Sequence, residues 1–287
     1  MDLIELAPPA VTAPRVLCFV TTYEPNHNTK VVAVRNTWGK NCDKLIFLSS
    51  VTNESLGAIE IPGVLHDHGH LWEKVKASIE YVYKMYGEEF EWFYKADDDT
   101  YCIWENLQAY LASEEISTLH KAGTALQLGY IWRQNAEVFA AKWLKDPELA
   151  EKWKELYGSR GLEYCSGGAG YIMNREFIKV VIAGIPEKVC LPSSRLHHVS
   201  EDVAIATCAG FYGVTPHHTR DWMGRERFHP YSPGTTYKQK GPSSGWIKGG
   251  ISPETIAFHY MSPRDMENAH RLLYECRQLY GCESTRV

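Results

Sequence analysis

The sequence lacks a long apolar run: no stretch reaches the roughly 18 consecutive apolar residues that a helix needs to cross a bilayer. The N-terminal segment MDLIELAPPAVTAPR also lacks the basic start and the apolar centre of a signal peptide. We therefore expect either a protein whose membrane anchor lies outside this sequence or a cytosolic protein.

A basic excess is absent as well. The 287 residues include 30 Lys and Arg against 35 Asp and Glu, which gives a net charge of −5. Proteins that bind a phosphate backbone need a surplus of basic residues, so we expect no nucleic-acid partner. Hydrophobic residues make up 44% of the chain and charged ones 23%, which excludes a mostly disordered protein. The length suits one large α/β domain or two small ones.

No two cysteines have the close CxxC spacing of a zinc site. The eight cysteines are an even number, which is compatible with disulfides in an oxidising compartment. Cys18 and Cys208 lie in apolar surroundings, where buried free thiols are an equally good interpretation. Cys276 and Cys282 are the best candidates for a local bridge, and the sequon Asn53-Glu54-Ser55 also fits a protein of the secretory pathway.

Strand-like and helix-like segments alternate along the chain. Arg15 to Val20 and Lys44 to Ser49 are predicted strands, and apolar residues recur at helical spacing from about Trp72 to Tyr86. Further helices are predicted after Pro147, from near Arg175, from Glu201 to Ala209 and from about Pro263 to Tyr280, and a loop is predicted from Pro230 to Gly250. This alternation predicts a mostly parallel sheet flanked by helices.

Three consecutive carboxylates end the predicted strand EWFYKADDDTY. In an extended chain residues i and i+2 point the same way, so Asp97 and Asp99 can face one ligand while Asp98 faces the opposite side. Carboxylates at the C-terminal end of a strand suit a hard divalent cation, although a solvated acidic turn is the plainer interpretation of the tripeptide.

Five blocks in this sequence resemble the β1,3-glycosyltransferase family. They are RNTWG at Arg35 to Gly39, KADDDTY at Lys95 to Tyr101, CSGGAGYIMN at Cys165 to Asn174, SEDVAIATC at Ser200 to Cys208 and FHYMSP at Phe258 to Pro263, in the family's order. The resemblance implies a single GT-A-type, Rossmann-like domain over residues 15–287, preceded by an extension or stem remnant at 1–14. The segment from Gly129 to Leu162 departs from the family pattern.

The resemblance implies an inverting, metal-dependent enzyme that moves a sugar from a UDP-sugar donor to a hydroxyl of a glycan or glycopeptide acceptor in β1,3 linkage. Galactose from UDP-galactose to O-linked GalNAc is the first choice. A fringe-like β1,3-N-acetylglucosaminyltransferase and a noncatalytic lectin or chaperone on the same scaffold are the alternatives. It also implies the Golgi lumen and a type II membrane protein whose anchor is absent from this sequence; a homodimer is possible.

The family's metal site maps onto Asp97, Asp99 and His259, with Asp99 the direct carboxylate ligand and Asp97 turned toward the ribose or a metal-bound water. Taken alone, a histidine after an apolar strand is more typical of a core side chain. An imidazole beside carboxylates favours Mn²⁺ over Mg²⁺. Asp202 is the implied general base, although acids at the start of a helix also occur simply because they favour the positive end of its dipole.

The remaining site predictions concern the two substrates. Thr21, Tyr23, Arg35, Asp97 and Asp98 are the predicted donor-binding residues; a surface helix cation is an equally good interpretation of Arg35. For the acceptor or the transferred sugar, the predicted contacts are Gly167, Gly168, Glu201, Trp222 and Trp246. A glycine pair leaves room for a sugar ring, and GGAG lacks the lysine and spacing of a phosphate loop. A tryptophan can stack on a sugar face or anchor a lid.

Overall fold

A computed structural model describes residues 4–8, 13–64, 70–134, 147–158, 161–186, 190, 200–238 and 250–275. Within these ranges the strands are β1 Val16–Thr21, β2 Lys44–Ser49, β3 Ala58–Glu60, β4 Trp92–Asp97, β5 Tyr101–Cys102, β6 Gln127–Gly129, β7 Ile131–Gln134, β8 Leu162–Cys165, β9 Tyr171–Asn174, β10 His217–His218, β11 Phe228–His229 and β12 Ala257–Phe258.

Seven of these strands form the central sheet, in the order β10-β6-β9-β4-β1-β2-β3. All neighbouring pairs are parallel except those of β9, which runs antiparallel to both β4 and β6. The predicted α/β fold with a mostly parallel sheet is confirmed. The glycine block CSGGAGYIMN was not predicted to contain a strand, yet its second half forms β9 near the centre of the sheet.

The helices are α1 Val32–Asn36, α2 Leu71–Tyr86, α3 Trp104–Leu111, α4 Glu114–Lys121, α5 Pro147–Tyr157, α6 Arg175–Gly184, α7 Glu201–Phe211, α8 Pro233–Lys238 and α9 Pro263–His270. The last is shorter than predicted: a π-helical turn, Arg271–Glu275, follows it, and the rest of the predicted range lies outside the described residues. The predicted loop after Pro230 contains α8, so that prediction was wrong at this point.

Both faces of the sheet are covered. Every residue of β1 is buried, and its side chains alternate between two apolar clusters, one containing Cys18 and Val20 and the other Leu17 and Phe19. Near-continuous burial is typical of a central parallel strand with helices on both sides. The second cluster also includes side chains of α2, α6 and α7, so the first turn of α7 lies close to the strands.

A small second sheet holds the segment around β12 next to the end of β4, where the aspartates lie. β12 lies between β11 and β5, and its Phe258 pairs with Tyr101, two residues after Asp99. The Met261 N–H then donates to the Asp99 carbonyl at 2.9 Å. These pairings carry His259 to the edge of the central sheet where β4 ends.

Two disulfides join Cys18 to Cys42 and Cys190 to Cys208, so the interpretation of Cys18 and Cys208 as buried free thiols was wrong. Among the described cysteines, Cys102 and Cys165 are the free ones, and both are buried. Cys276 and Cys282 lie outside the described residues.

Residues 4–8 lie against the domain rather than apart from it. Ile4 is buried, and the Ala7 N–H donates to Asn106 Oδ1 at 2.8 Å. The boundary predicted between residues 14 and 15 stays a prediction. Within the described residues, no helix combines the length and apolar character needed to cross a bilayer.

Candidate active site

The site lies where β1 and β4 end side by side. Thr21 and Asp97 are paired residues of these parallel strands, and Thr21 Oγ1 donates to Asp97 Oδ1 at 2.9 Å. Lys95 Nζ donates to the same oxygen at 2.8 Å. Since Oδ1 is occupied by two donors, the other oxygen of Asp97 is the one left to face a ligand. Thr21, predicted to touch the donor, here orients a carboxylate.

Asp98 is turned into the protein, as the alternation of an extended chain predicts. Its side chain accepts from Thr22 Oγ1 at 2.7 Å and Asn26 Nδ2 at 2.7 Å, and it pairs with Lys30 at 3.1 Å. These contacts fasten the loop that follows β1. The structure therefore gives Asp98 a structural role, and its contact with the donor stays a prediction.

Asp99 and His259 lie in direct contact, with 3.1 Å between Asp99 Oδ1 and His259 Nε2. Lys30 Nζ donates to the other Asp99 oxygen at 3.0 Å. Burial raises the pKa of the Asp99 carboxyl, but His259 and Lys30 outweigh burial and lower the pKa to about 2. Asp99 is therefore ionised at neutral pH.

The tautomer of His259 follows from its second contact. Its Nδ1 lies 3.3 Å from the Pro230 carbonyl oxygen, which can only accept, so Nδ1 carries the proton. Nε2 is then the ring nitrogen that faces the Asp99 carboxylate. One ligand atom each from Asp97, Asp99 and His259 lies within 4.8 Å of the others. These residues fit a divalent metal ion.

The ring of Tyr260 covers the imidazole. The Tyr260 and His259 rings are stacked with centroids 3.8 Å apart, and Tyr260 has a φ of 53°, the only positive value among described residues other than glycine. A left-handed backbone is unfavourable for a tyrosine, and such strain is common beside functional groups. No pattern in the sequence signals this contact.

Asp202 lies at the start of α7 and faces the glycine block. Its Oδ2 accepts the Gly167 N–H at 3.0 Å, and its Oδ1 accepts the Val203 N–H at 2.8 Å. The second bond resembles the capping role considered from the sequence. The first ties Asp202 to a segment distant in the chain. Each carboxylate oxygen has two lone pairs, so these bonds leave capacity to accept a proton.

The two glycines make room for site side chains. A Cβ on Gly167 would lie 2.1 Å from Glu201 Oε1, and a Cβ on Gly168 would lie 2.0 Å from His259 Cε1. Neither position tolerates a side chain unless a neighbour moves. The structure thus supplies a packing reason for both glycines, and their contact with a sugar stays a prediction.

Three lysines missed by the sequence analysis surround the carboxylates: Lys30, Lys74 and Lys95. Lys74, on α2, donates to the Thr22 carbonyl, and its burial lowers the pKa of the ammonium to about 8. Lys95 is 1% exposed and pairs with both Asp97 and Glu201; although burial opposes it, these two carboxylates raise the pKa of Lys95 above its ordinary value. Period-two alternation could have placed Lys95 beside Asp97.

Three other predicted residues, Arg35, Tyr23 and Trp222, lie at or near the surface. The Arg35 guanidinium donates to the Ser55 carbonyl at 2.9 Å on an exposed part of the surface, which supports the interpretation as a surface cation. Tyr23 is 41% exposed just after β1, and Trp222 is 86% exposed on the turn between β10 and β11. Trp246 lies outside the described residues.

Comparison with known proteins identifies the family. A model described as Fringe-like matches residues 11–262. The chain belongs to the Fringe-like family, and the predicted relationship to β1,3-glycosyltransferases is confirmed.

Individual relatives agree with this family. A glycoprotein-N-acetylgalactosamine 3-beta-galactosyltransferase 1 of Xenopus laevis is 32% identical over 276 residues, which cover 92% of this chain and 67% of that protein. Chondroitin sulfate synthase 3 of Mus musculus is 28% identical over 206 residues, 68% of this chain but 20% of that protein. Among solved structures, the galactosyltransferase LgtC has a TM-score of 0.42 at 12% identity over 94% of this chain and 97% of that one, a similarity too distant to support an argument.

Proposed function

We propose that this glycosyltransferase inverts the anomeric centre of a UDP-sugar and forms a β1,3 linkage to a glycan hydroxyl, with galactose as the sugar and O-linked GalNAc as the acceptor. The observation that carries the proposal is the convergence of Asp97, Asp99 and His259 at the end of β4, beside a carboxylate, Asp202, that is held on Gly167. The printed activity of the Xenopus relative supports the choice of sugar and acceptor.

Asp97, Asp99 and His259 are the residues that would hold the metal ion, and the imidazole in the set favours Mn²⁺. When bound, such an ion neutralises charge on the departing diphosphate. The chain's own contribution is to orient the ligands: Thr21 and Lys95 hold one oxygen of Asp97, and Pro230 fixes the proton of His259 on Nδ1.

Asp202 is the proposed general base. An acceptor hydroxyl is a poor nucleophile at neutral pH, so a carboxylate must lie within hydrogen-bond reach to take its proton. Direct displacement with one base inverts the anomeric centre, which turns an α-linked donor into a β-linked product. The Gly167 N–H keeps the carboxylate pointing toward the glycine block, where we propose that the sugar lies.

The exposed aromatic residues are proposed to serve the substrates. Tyr23 follows β1, at the end of the sheet where α/β folds bind nucleotides, and we propose that it contacts the uridine. Trp222 is proposed to meet the acceptor, because a tryptophan that is 86% exposed has a large apolar face free to stack on a sugar.

We further propose that the protein works in the lumen of the Golgi as a type II membrane protein. The two disulfides support an oxidising compartment, since such bonds are rare in the cytosol. Membrane attachment through a segment outside this sequence and a homodimeric state belong to the same proposal.

The test is a UDP-release assay on the purified protein with and without Mn²⁺. UDP-galactose and UDP-N-acetylglucosamine are each offered with a simple glycoside and with a GalNAc-bearing glycopeptide. We expect Mn²⁺-dependent turnover with UDP-galactose and the glycopeptide, and a β-linked product by NMR. Turnover only with UDP-N-acetylglucosamine would favour the fringe-like alternative, and donor binding without turnover would favour a lectin or chaperone.

A further inference from the structure

A buried lysine connects the metal-side carboxylate to the turn that carries the proposed base. Lys95 lies on β4 two residues before Asp97, so both side chains leave the strand on the same face. Its ammonium lies 2.8 Å from Asp97 Oδ1, 2.7 Å from Glu201 Oε1 and 3.3 Å from the Gly167 carbonyl oxygen. The three donors of the ammonium therefore have three partners.

Two of those partners lead directly to Asp202. Glu201 is its neighbour in the chain, and Gly167 donates its N–H to Asp202 Oδ2. Glu201 is held from its other side as well, since its Oε2 accepts from the Tyr171 hydroxyl at 3.1 Å. Tyr171 is the residue of β9 that pairs with Lys95 of β4, so the sheet itself sets the spacing of this contact.

The groups around the ammonium are tightly packed. The Glu201 side chain is 6% exposed, and a single added Cβ on Gly167 would lie 2.1 Å from its Oε1. A buried ion pair is weak evidence of a gain in stability, because an apolar pair of similar volume often does as well. Here the Lys95 ammonium joins Asp97, Glu201 and the Gly167 carbonyl, three groups from different segments of the chain.

We propose that Lys95 is a positioning residue that fixes the separation between Asp97, on the donor side, and the Gly167–Asp202 contact, on the acceptor side. This inference rests on the proposed function, because it assumes that the donor and the base act at these two ends. If Lys95 is lost, we expect the donor side still to bind the donor and the acceptor side still to bind the acceptor. The two sides are then no longer held at the separation that turnover needs.

The test compares Lys95→Met, Glu201→Gln and the double variant Lys95→Met/Glu201→Gln. The single Lys95→Met variant leaves a buried, unpaired carboxylate and is expected to melt at a lower temperature. The double variant removes both charges, so its melting temperature should recover toward that of the wild type. Asn174→Ala is the matched control. Asn174 is fully buried and hydrogen-bonded like Lys95, but it lies at the other end of β9 from Tyr171.

In the double variant we expect kcat to stay about 100-fold below the wild type, the cost of a misplacement of about 1 Å. Because Lys95 also holds Asp97 Oδ1, the dissociation constant of UDP with Mn²⁺ should rise about tenfold, so kcat is measured at saturating donor and Mn²⁺. The KM for the acceptor should stay within about threefold, on the scale of a minor contact. Asn174→Ala should lower the melting temperature and leave kcat unchanged. Recovery of kcat together with the melting temperature in the double variant would overturn the proposal, because Lys95 would then serve only to neutralise Glu201.

A second measurement separates this inference from the proposed function. Crystals of the wild type and the double variant, grown with UDP and Mn²⁺, give the distance between Asp97 and the Gly167 carbonyl whether or not transfer occurs. A change in this distance with the fold intact supports the positioning role even if the sugar or acceptor is wrong. An unchanged distance refutes it. Failure of the wild type to bind UDP with Mn²⁺ would count against the proposed function alone.

Discussion

Replacing Gly168 with alanine tests the metal site through a single methyl group. The added Cβ would lie 2.0 Å from His259 Cε1 and 2.5 Å from Nε2, whereas ordinary contact begins at 3.4 Å. The imidazole therefore has to retreat by about 1.4 Å, the difference between the two contact distances, or the glycine turn has to open. Ligand distances in metal sites vary by only about 0.2 Å, so a shift of this size removes His259 from the ligand set.

Isothermal titration of Mn²⁺ in the presence of UDP measures the effect. Disturbing the support of a single ligand typically lowers metal affinity 10- to 100-fold, so we expect a loss of at least about tenfold in Gly168→Ala. Gly234→Ala is the control, because a Cβ there meets nothing within 4 Å and the residue lies in α8. This control should bind Mn²⁺ like the wild type and gain slightly in stability. Wild-type affinity in Gly168→Ala would refute the placement of His259 in the metal site.

Further predictions concern the base, the carboxylate ligand and a buried histidine. Asp202→Asn should abolish transfer while calorimetric binding of UDP with Mn²⁺ survives, and near-normal turnover would remove Asp202 from the role of base. Asp99→Ala should lower Mn²⁺-dependent UDP affinity at least about tenfold, because a direct ligand is lost; unchanged affinity would contradict the assignment. Burial lowers the pKa of the His229 ring to about 3. Below about pH 6.5 the unfolded chain therefore binds more protons than the folded chain, and the free energy of unfolding decreases as the pH decreases. Between pH 7.5 and 5.5 this ring should cost about 1.4 kcal/mol in urea unfolding, and His229→Gln should show a correspondingly smaller loss; equal losses would contradict the sign.

Strands and helices with a strong period were predictable from the sequence. The apolar run ending in small polar residues gave β2 at its observed bounds, and helical spacing gave α2 to within one residue. The strand β9 was missed because its partners are distant in the chain and its glycine-rich flank has the composition of a turn. Local pattern reports which face a segment can bury, but pairing between distant segments decides whether a short apolar stretch such as Tyr171–Asn174 joins the sheet.

The part of the candidate site that was predictable from the sequence consists of residues that are close together in the chain. Asp97 and Asp99 share a strand, so alternation alone puts them on one side. His259 has no such local signal, because its position depends on the pairing of β12 with β5 and on the bond from Met261 to Asp99. Only the resemblance to a family selected it over other histidines, such as His229, which is a core side chain.

The lysines explain why a patch so rich in carboxylates can be packed into the protein. Five carboxylates meet there, Asp97, Asp98, Asp99, Glu201 and Asp202, and three ammonium groups, from Lys30, Lys74 and Lys95, leave a formal charge of −2. Buried charges need partners, so this remainder is what one divalent cation would offset. The three lysines come from the π-helical turn His27–Val31 after β1, from α2 and from β4, three segments that meet only in the folded chain. A count of charges along the sequence could therefore reveal the acids but not the lysines that balance them.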